Sequence, residues 1–186
     1  MSNFEGRAQA ITVMTPVKRG WIPRIKSMFW LIKMYPPLTT PLRQLSFIHF
    51  ARWSFVREIP YNGPPQQREK LNYSYMLFMS NFNGRWDEYI DTFSYTQGKI
   101  MDQVWGSAHN YPGSLPVKPF EDYIRKNEFE ASHYASAYPH ATITAITSAL
   151  EIKERFALLQ DQARNMNPEQ FKAAYETFLT DIQRQL

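Results

Sequence analysis

The spacing of hydrophobic and polar residues divides the first part of the chain into strand-like and helix-like stretches. Alternating β-branched residues predict a strand over Ala8–Thr15 that ends at Pro16. The apolar residues of Ile22–Met34 recur at helical spacing. Dense aromatic and β-branched residues predict a second strand over Ser46–Val56 and a third over Asn72–Met79.

The pattern changes between and after these strands. Glu58–Lys70 contains an Asn-Gly pair and three prolines, which predicts a long exposed connection. Helical spacing begins at Trp86 and returns over Lys99–Ser107. Glu128–Tyr138 combines helix-favouring residues with a Ser/Tyr alternation, and we predict a fourth strand there.

This order of elements predicts an α+β fold. Strand, helix, strand, strand, helix, strand is the ferredoxin-like β-α-β-β-α-β arrangement, with an antiparallel sheet. The apolar stripes of Thr142–Asn165 and of the segment after Asn167 predict two additional C-terminal helices. We therefore predict a ferredoxin-like domain over residues 1–150 and a C-terminal helical extension over residues 151–186 that packs on the same domain. In such a sheet the helices bury only one face. A second subunit often buries the other face, so we expect a homodimer.

Composition excludes several classes of site. The 186 residues include no Cys, which excludes disulfides, thiolate metal sites and a Cys nucleophile. Aromatic residues make up 16% of the chain, which is typical of a folded domain. No secretory signal pattern opens the chain, and no stretch reaches the ~18 apolar residues of a spanning helix. We expect a cytoplasmic protein, free or associated with a membrane surface.

The net charge of +4 is unevenly distributed. The stretch from Gly6 to Arg57 contains no acidic residue, whereas acids outnumber bases in the rest of the chain. Its basic residues are Arg7, Lys18, Arg19, Arg24, Lys26, Lys33, Arg43, Arg52 and Arg57. Such a segment favours acidic lipid headgroups, phosphates or an acidic protein partner. We do not expect nucleic-acid binding, because the aromatic residues fall mainly at core periodicities and no RNA-binding signature occurs.

Four segments carry a resemblance to a known group of proteins. They are IHFARW, LFMSNFNGRWDEYIDTF, VWGSAHNYP and HYASAYPHATITAI. They resemble uncharacterised bacterial domains in which a strand HFARW pairs with a strand that ends in SNFNG. These domains are distantly similar to dimeric α+β barrel proteins, which include small oxygenases, EthD-like proteins and haem-binding peroxidase relatives. The resemblance covers roughly residues 8 to 150 and implies the same fold, a dimer and a pocket for a small ligand. It also makes haem a candidate cofactor.

His49 and Arg52 are the candidate catalytic residues. His49 is suited to act as a base or haem ligand, and Arg52 to anchor a carboxylate or phosphate. Side chains alternate along a strand, so the two lie on opposite faces unless a bulge intervenes. In the alternative interpretation His49 is hydrogen-bonded inside an aromatic core and Arg52 pairs with an acid such as Asp87 or Glu88.

Candidate ligand-binding residues lie in the strands and at the end of the third strand. Asn81 and Asn83 precede a helix, where amides and backbone N–H groups can receive an anion. In the alternative, they only form the turn. Trp53 and Tyr75 complete the expected pocket for a small apolar aromatic or acyl ligand. If the protein is an enzyme, we expect oxygenase-type or peroxidase-type redox chemistry.

We do not expect a metal site. Glu128, Glu130 and His133 have ligand-type side chains, but Glu130 and His133 point to opposite faces of a strand. No second cluster of this kind occurs in the sequence.

The helix Ile22–Met34 supports a second functional hypothesis. Trp21 and Trp30 widen its apolar arc beyond one core face, and its charges are Arg24, Lys26 and Lys33. Such a helix is typical of contact with a membrane interface or a partner, and packing inside the protein or against another subunit is the alternative. The chain would then be a non-catalytic peripheral subunit, for example of a redox system.

Overall fold

The computed structural model of the protein describes residues 3–35, 37 and 45–183. Within these residues it contains four strands and five helices. The strands are β1 (Phe4–Glu5), β2 (Ala8–Val17), β3 (Ile48–Val56) and β4 (Ser74–Asn83), and the helices are α1 (Trp21–Met34), α2 (Trp86–Trp105), α3 (Val117–Asn127), α4 (Ile143–Ala163) and α5 (Pro168–Ile182).

The four strands form one antiparallel sheet in the order β1-β2-β4-β3. β2 and β4 pair over their full length, from Ala8 opposite Asn83 to Val17 opposite Ser74. β2 and β3 both run antiparallel to β4, so they are parallel to each other. Both therefore end at the same edge of the sheet. The protein has an α+β fold, as the order of elements predicts.

β2 extends past the predicted stop at Pro16. This proline lies within the strand, opposite Tyr75, and the strand ends at Val17. Only the β4 flank of β2 carries a continuous ladder, since beyond β1 the other flank has isolated bridges at Val13 and Val17. A proline is tolerated on a strand with one unpaired flank.

One face of the sheet forms the core. Alternate residues of β2 and β4 are buried on this face, where they pack against the apolar sides of α1, α2 and α3. Among them are Ile11, Val13, Val17, Met76, Phe78 and Phe82 from the strands, and Ile25, Phe93, Trp105 and Phe120 from the helices. Helices of unlike sequence thus share one sheet face because each presents a single apolar side.

The prediction of a fourth strand over Glu128–Tyr138 is wrong. This segment is irregular, with one isolated bridge between Glu128 and Val13 of β2. β1 already pairs with the start of β2 on the same flank. Side chains then take the N–H groups that a strand would need: Asn3 accepts from Ala131, and Glu5 accepts from Ser136.

Two helices differ from the sequence prediction. α2 is one helix of 20 residues rather than two shorter ones. The sequence pattern does not predict α3, because Pro112 and Pro116 before it indicate only a break in the pattern. Pro116 precedes the first residue of α3 and Pro119 lies in its first turn, where a missing N–H breaks no helical hydrogen bond.

The chain divides into two compact units, Met1–His140 and Ala141–Leu186. The second unit is the predicted pair of C-terminal helices, and the boundary predicted at residue 150 falls within α4. Thr142 caps α4 and Asn167 caps α5 with side-chain hydrogen bonds. No helix in the described part of the chain is long and apolar enough to cross a bilayer.

Candidate functional site

The predicted catalytic strand contains a bulge at His49. Ile48 lies opposite Phe82 and Phe50 lies opposite Asn81, so His49 has no partner on β4. The bulge shifts the alternation, and Ile48 joins the core face instead of sharing a face with Phe50. The His49 Nε2 atom is buried and has no hydrogen-bond partner in the described part of the protein.

Arg52 lies on the sheet face opposite the core and is exposed. Its Nη2 lies 3.0 Å from the sulfur of Met79, which faces it on β4. The expected partners are occupied elsewhere: Asp87 accepts from Arg85 at 2.8 Å, and the Glu88 carboxylate lies within reach of the Arg85 backbone N–H. Among the residues that the structure describes, Arg52 forms no ion pair, so the expected pairing with Asp87 or Glu88 is not observed.

The predicted ligand-binding residues point in different directions. Trp53 belongs to the core face, where its ring packs against Phe78 and Trp105 at centroid distances of 5.0 and 6.2 Å. Tyr75 and Asn81 lie on the other face, with Arg52. The structure therefore brings only part of the predicted set onto one surface.

The two asparagines at the end of β4 make structural hydrogen bonds. Asn81 Nδ2 donates to the hydroxyl of Tyr134 at 2.6 Å, and Asn83 Nδ2 donates to the backbone carbonyl of Arg7 at 2.9 Å. Both amides hold neighbouring segments against the sheet. This supports the turn interpretation over the anion site that their position before α2 suggested.

The described residues include no cluster of His, Asp and Glu that could hold a metal ion. Glu128 instead accepts a hydrogen bond of 3.0 Å from the indole N–H of Trp86. Burial raises the pKa of the Glu128 carboxyl, and the Trp86 hydrogen bond and the charge of Arg125 oppose this shift. Arg125 itself lies over the Trp86 ring, 3.8 Å from its centroid.

Helix α1 carries exposed apolar residues beside basic ones. Ile22 and Ile25 are buried on its inner side. Near its end, on the side away from these two residues, Trp30, Leu31 and Met34 are 59%, 54% and 64% exposed. Large apolar side chains that cluster on an outer helix side indicate an interaction surface. We call this set, with the basic residues beside it, the α1 outer surface.

Basic residues border the exposed apolar side chains. At 3.6 residues per turn, Lys26 and Lys33 lie along one side of Trp30, and Arg24 lies on the other side of the helix. All three are exposed, and none forms an ion pair within the described residues.

Trp21, the fifth residue predicted for this contact, has a different environment. It is half-buried against the core, and the guanidinium of Arg24 lies 4.8 Å from its ring centroid. The Lys18 ammonium lies 5.9 Å from the same ring. Trp21 therefore anchors the start of α1, whereas Trp30 is free to contact another molecule.

Sequence reasoning missed a cavity at the start of α1. It has a volume of about 460 Å³ and is lined by Lys18, Arg19, Arg57 and the first residues around β4, Asn72, Tyr73 and Ser74. These residues are far apart in the chain, so spacing gave no signal. The basic character of the first third of the sequence was the available indication.

Neither a family model, nor a curated protein, nor a solved structure matches the chain.

Proposed function

We propose that the protein is a peripheral, non-catalytic protein that binds anionic membrane surfaces through the α1 outer surface. The observation that carries this proposal is the exposure of Trp30, Leu31 and Met34 between basic residues on one helix. An interfacial helix places apolar side chains at the boundary between headgroups and acyl chains while its Lys and Arg side chains reach the phosphates.

The apolar side chains supply the first part of the binding energy. Fully burying a Leu or Met side chain is worth about 1.5–3 kcal/mol, and Leu31 and Met34 are still 54% and 64% exposed. Trp30 adds a larger amphipathic ring, and such rings are enriched at membrane interfaces. Together these contacts are worth roughly 4 kcal/mol.

The basic residues supply the second part. A Lys or Arg near an anionic leaflet contributes about 1 kcal/mol, and Arg24, Lys26 and Lys33 are all exposed. The sequence from Gly6 to Arg57 has no acid that could oppose this attraction. Binding should therefore require anionic lipid and weaken as salt is added.

Sedimentation with lipid vesicles tests the proposal. The wild-type protein should bind vesicles that contain phosphatidylglycerol and should bind pure phosphatidylcholine weakly. Reversing two charges of the surface, with Arg24→Glu and Lys26→Glu, should abolish this preference. A matched control, with Lys99→Glu and Lys153→Glu, makes the same change in net charge at exposed residues outside the basic segment.

Three results would reject the membrane proposal. They are absence of vesicle binding, binding that the Arg24→Glu/Lys26→Glu variant retains, and an equal loss in both reversed variants. An acidic protein that competes with vesicles for the wild-type protein but not for the reversed variant would instead identify the surface as a partner site.

A second candidate function is binding of a small apolar ligand on the sheet face that carries Arg52 and Tyr75. One observation favours it: Phe50, beside Arg52 on this face, is 52% exposed and has no structural role in the core. An absorption spectrum of the purified protein tests the redox form of this hypothesis. A haem band that His49→Ala removes would support it, and a colourless protein would reject haem chemistry.

We also propose that the sheet is a variant of the ferredoxin-like arrangement. β2, β3 and β4 have the order and directions of its first three strands. The place of the fourth strand, beside β2, is shared by β1 and the bridge at Glu128. In such an arrangement a second subunit would cover the other face of the sheet, so we also propose a homodimer. Analytical ultracentrifugation of the full chain tests it.

A further inference from the structure

The cavity at the start of α1 is basic for a topological reason. β2 and β3 are parallel, so Lys18 and Arg19 after β2 and Arg57 after β3 leave the sheet at the same edge. β4 begins at this edge with Ser74, between the two other strands. Three cations from distant parts of the sequence therefore line one cavity.

No carboxylate neutralises these cations inside the cavity. Its described lining contains neither Asp nor Glu. Glu58 follows Arg57 directly and, with Glu69, lines a neighbouring cavity on the loop after β3, which Arg57 also borders. Arg19 and Arg57 are exposed, and neither forms an ion pair in the part of the chain that the structure describes.

Lys18 is held in a fixed position. Its ammonium donates to the backbone carbonyl of Gly106 at 3.0 Å and retains two further donors. Asn72, Tyr73 and Ser74, which carry neutral hydrogen-bonding groups, belong to the same lining. A cavity of about 460 Å³ is within the range of small-molecule sites. It is large enough for a phosphate group that carries a polar substituent.

We propose that this cavity binds a phosphate monoester. A phosphate monoester carries a charge close to −2 at neutral pH and has three acceptor oxygens. Arg19 and Arg57 can each donate two hydrogen bonds to such oxygens, and Lys18 adds a point charge. The ligand is the headgroup of a lipid or a soluble compound. Only the lipid-borne form rests on the membrane contact proposed for α1.

Glycerol 3-phosphate is the probe for the soluble arm. Titration of the full-length protein, followed by amide NMR shifts, should give saturable shifts at the cavity residues, and glycerol alone should give none. Arg19→Gln with Arg57→Gln should weaken binding by at least about tenfold. Lys26→Gln with Lys33→Gln is the matched control: it removes the same charge from α1 outside the cavity lining and should leave the affinity within about twofold.

Vesicles form the second arm. Phosphatidate presents a phosphate monoester and phosphatidylglycerol a diester, and the two vesicles are matched in measured zeta potential. A lipid ligand predicts tighter binding to phosphatidate, lost in the Arg19→Gln/Arg57→Gln variant. Trp30→Ser should weaken binding to both vesicles and leave glycerol 3-phosphate binding intact, which separates failure of the membrane contact from failure of the cavity.

The outcomes decide between the sources. Saturable binding of glycerol 3-phosphate without a phosphatidate preference supports a soluble ligand, and both together support a lipid headgroup. No saturable binding in either arm would overturn the proposal. Equal weakening of glycerol 3-phosphate binding by the cavity variant and the control would also overturn it, because the effect would then depend only on net charge. Unchanged melting temperatures confirm that both variants fold.

Discussion

Trp30→Ser gives a quantitative prediction for the α1 outer surface. A buried aromatic side chain accounts for about 150–250 Å², and Trp30 is still 59% exposed in the protein. About 130 Å² is therefore available to enter the membrane interface. At ~25 cal/mol per Å² this corresponds to roughly 3 kcal/mol if the whole exposed surface leaves water.

The interface removes only part of this surface from water, so we expect a loss of about 2 kcal/mol. This corresponds to a roughly 30-fold weaker partition coefficient on phosphatidylglycerol vesicles. Vesicle titration at constant salt, followed by sedimentation or by tryptophan emission, measures it. Tyr95→Ser is the matched control, because Tyr95 on α2 is 71% exposed and lies outside the basic segment.

The folded state should be unaffected, since Trp30 is not part of the core. A change of less than about twofold in Trp30→Ser would refute the reasoning, as would an equal change in Tyr95→Ser. The first result would mean that the exposed ring does not enter the interface. The second would mean that any exposed aromatic residue contributes to the binding.

Three further predictions concern charge, pH and backbone conformation. Lys26→Gln with Lys33→Gln should weaken vesicle binding by roughly 30-fold at low salt and by much less near 1 M salt. Vesicle titration over a series of salt concentrations measures this difference. A loss of binding that does not depend on salt would contradict the electrostatic account. Folding raises the pKa of the Glu128 carboxyl, so the folded state favours the protonated form. The protonated carboxyl therefore stabilises the protein below the unfolded pKa of ~4.3, and this stabilisation is lost as the pH rises through the folded pKa. Glu128→Gln should therefore raise the melting temperature at pH 7 relative to the wild type and flatten this pH dependence, and a lower melting temperature at pH 7 would contradict it. Gly6→Ala should lower the free energy of unfolding, measured by chemical denaturation, by about 2–4 kcal/mol, because Gly6 has φ +60° and an added Cβ would meet the Pro139 carbonyl. Gly20→Ala is the control: Gly20 has φ +80° but free space around it, so the loss should be only about 1 kcal/mol. Equal losses in the two variants would contradict the contact with Pro139.

Periodicity predicted the elements that are buried on one side. The alternation in β2 places Ile11, Val13 and Val17 on the core face, and the helical spacing of α1 places Ile22 and Ile25 there. These signals are strong because each element has one apolar side and one polar side, and the burial of that side is what forms the element.

The bulge at His49 could not be predicted from alternation. A bulge depends on which hydrogen bonds the neighbouring strand and its side chains provide. Here Ser80 Oγ donates to the Phe50 carbonyl, and the Asn83 backbone N–H donates to Phe47. The extra residue places Ile48 and Phe50 on opposite faces of the sheet, whereas strict alternation would place them on the same face.

The predicted fourth strand failed through competition between distant segments. Its local pattern was compatible with a strand, but β1 pairs with the start of β2 on the flank that this strand would occupy. The side chains of Asn3 and Glu5 accept hydrogen bonds from backbone N–H groups of the segment, which a strand would have used. For α3 the local signal was present but was not recognised. Phe120, Tyr123 and Ile124 repeat at helical spacing, and the prolines before them hid this pattern.

The two candidate sites differ in how many of their residues the sequence alone could predict. The α1 outer surface lies within one helix, so composition and spacing together predicted four of its exposed residues, Arg24, Lys26, Trp30 and Lys33. The phosphate cavity joins residues after β2, after β3 and before β4. Only the sheet topology brings them together.

A single label at residue 34 tests the central claim most directly. The chain has no Cys, so Met34→Cys gives one unique site for a spin label. On addition of phosphatidylglycerol vesicles, the account predicts that this label loses contact with a water-soluble relaxation agent and gains contact with oxygen, whereas a label at Tyr95→Cys stays in water. A label at residue 34 that stays as accessible to the water-soluble agent as the label at residue 95, although the protein is bound to vesicles, would contradict it.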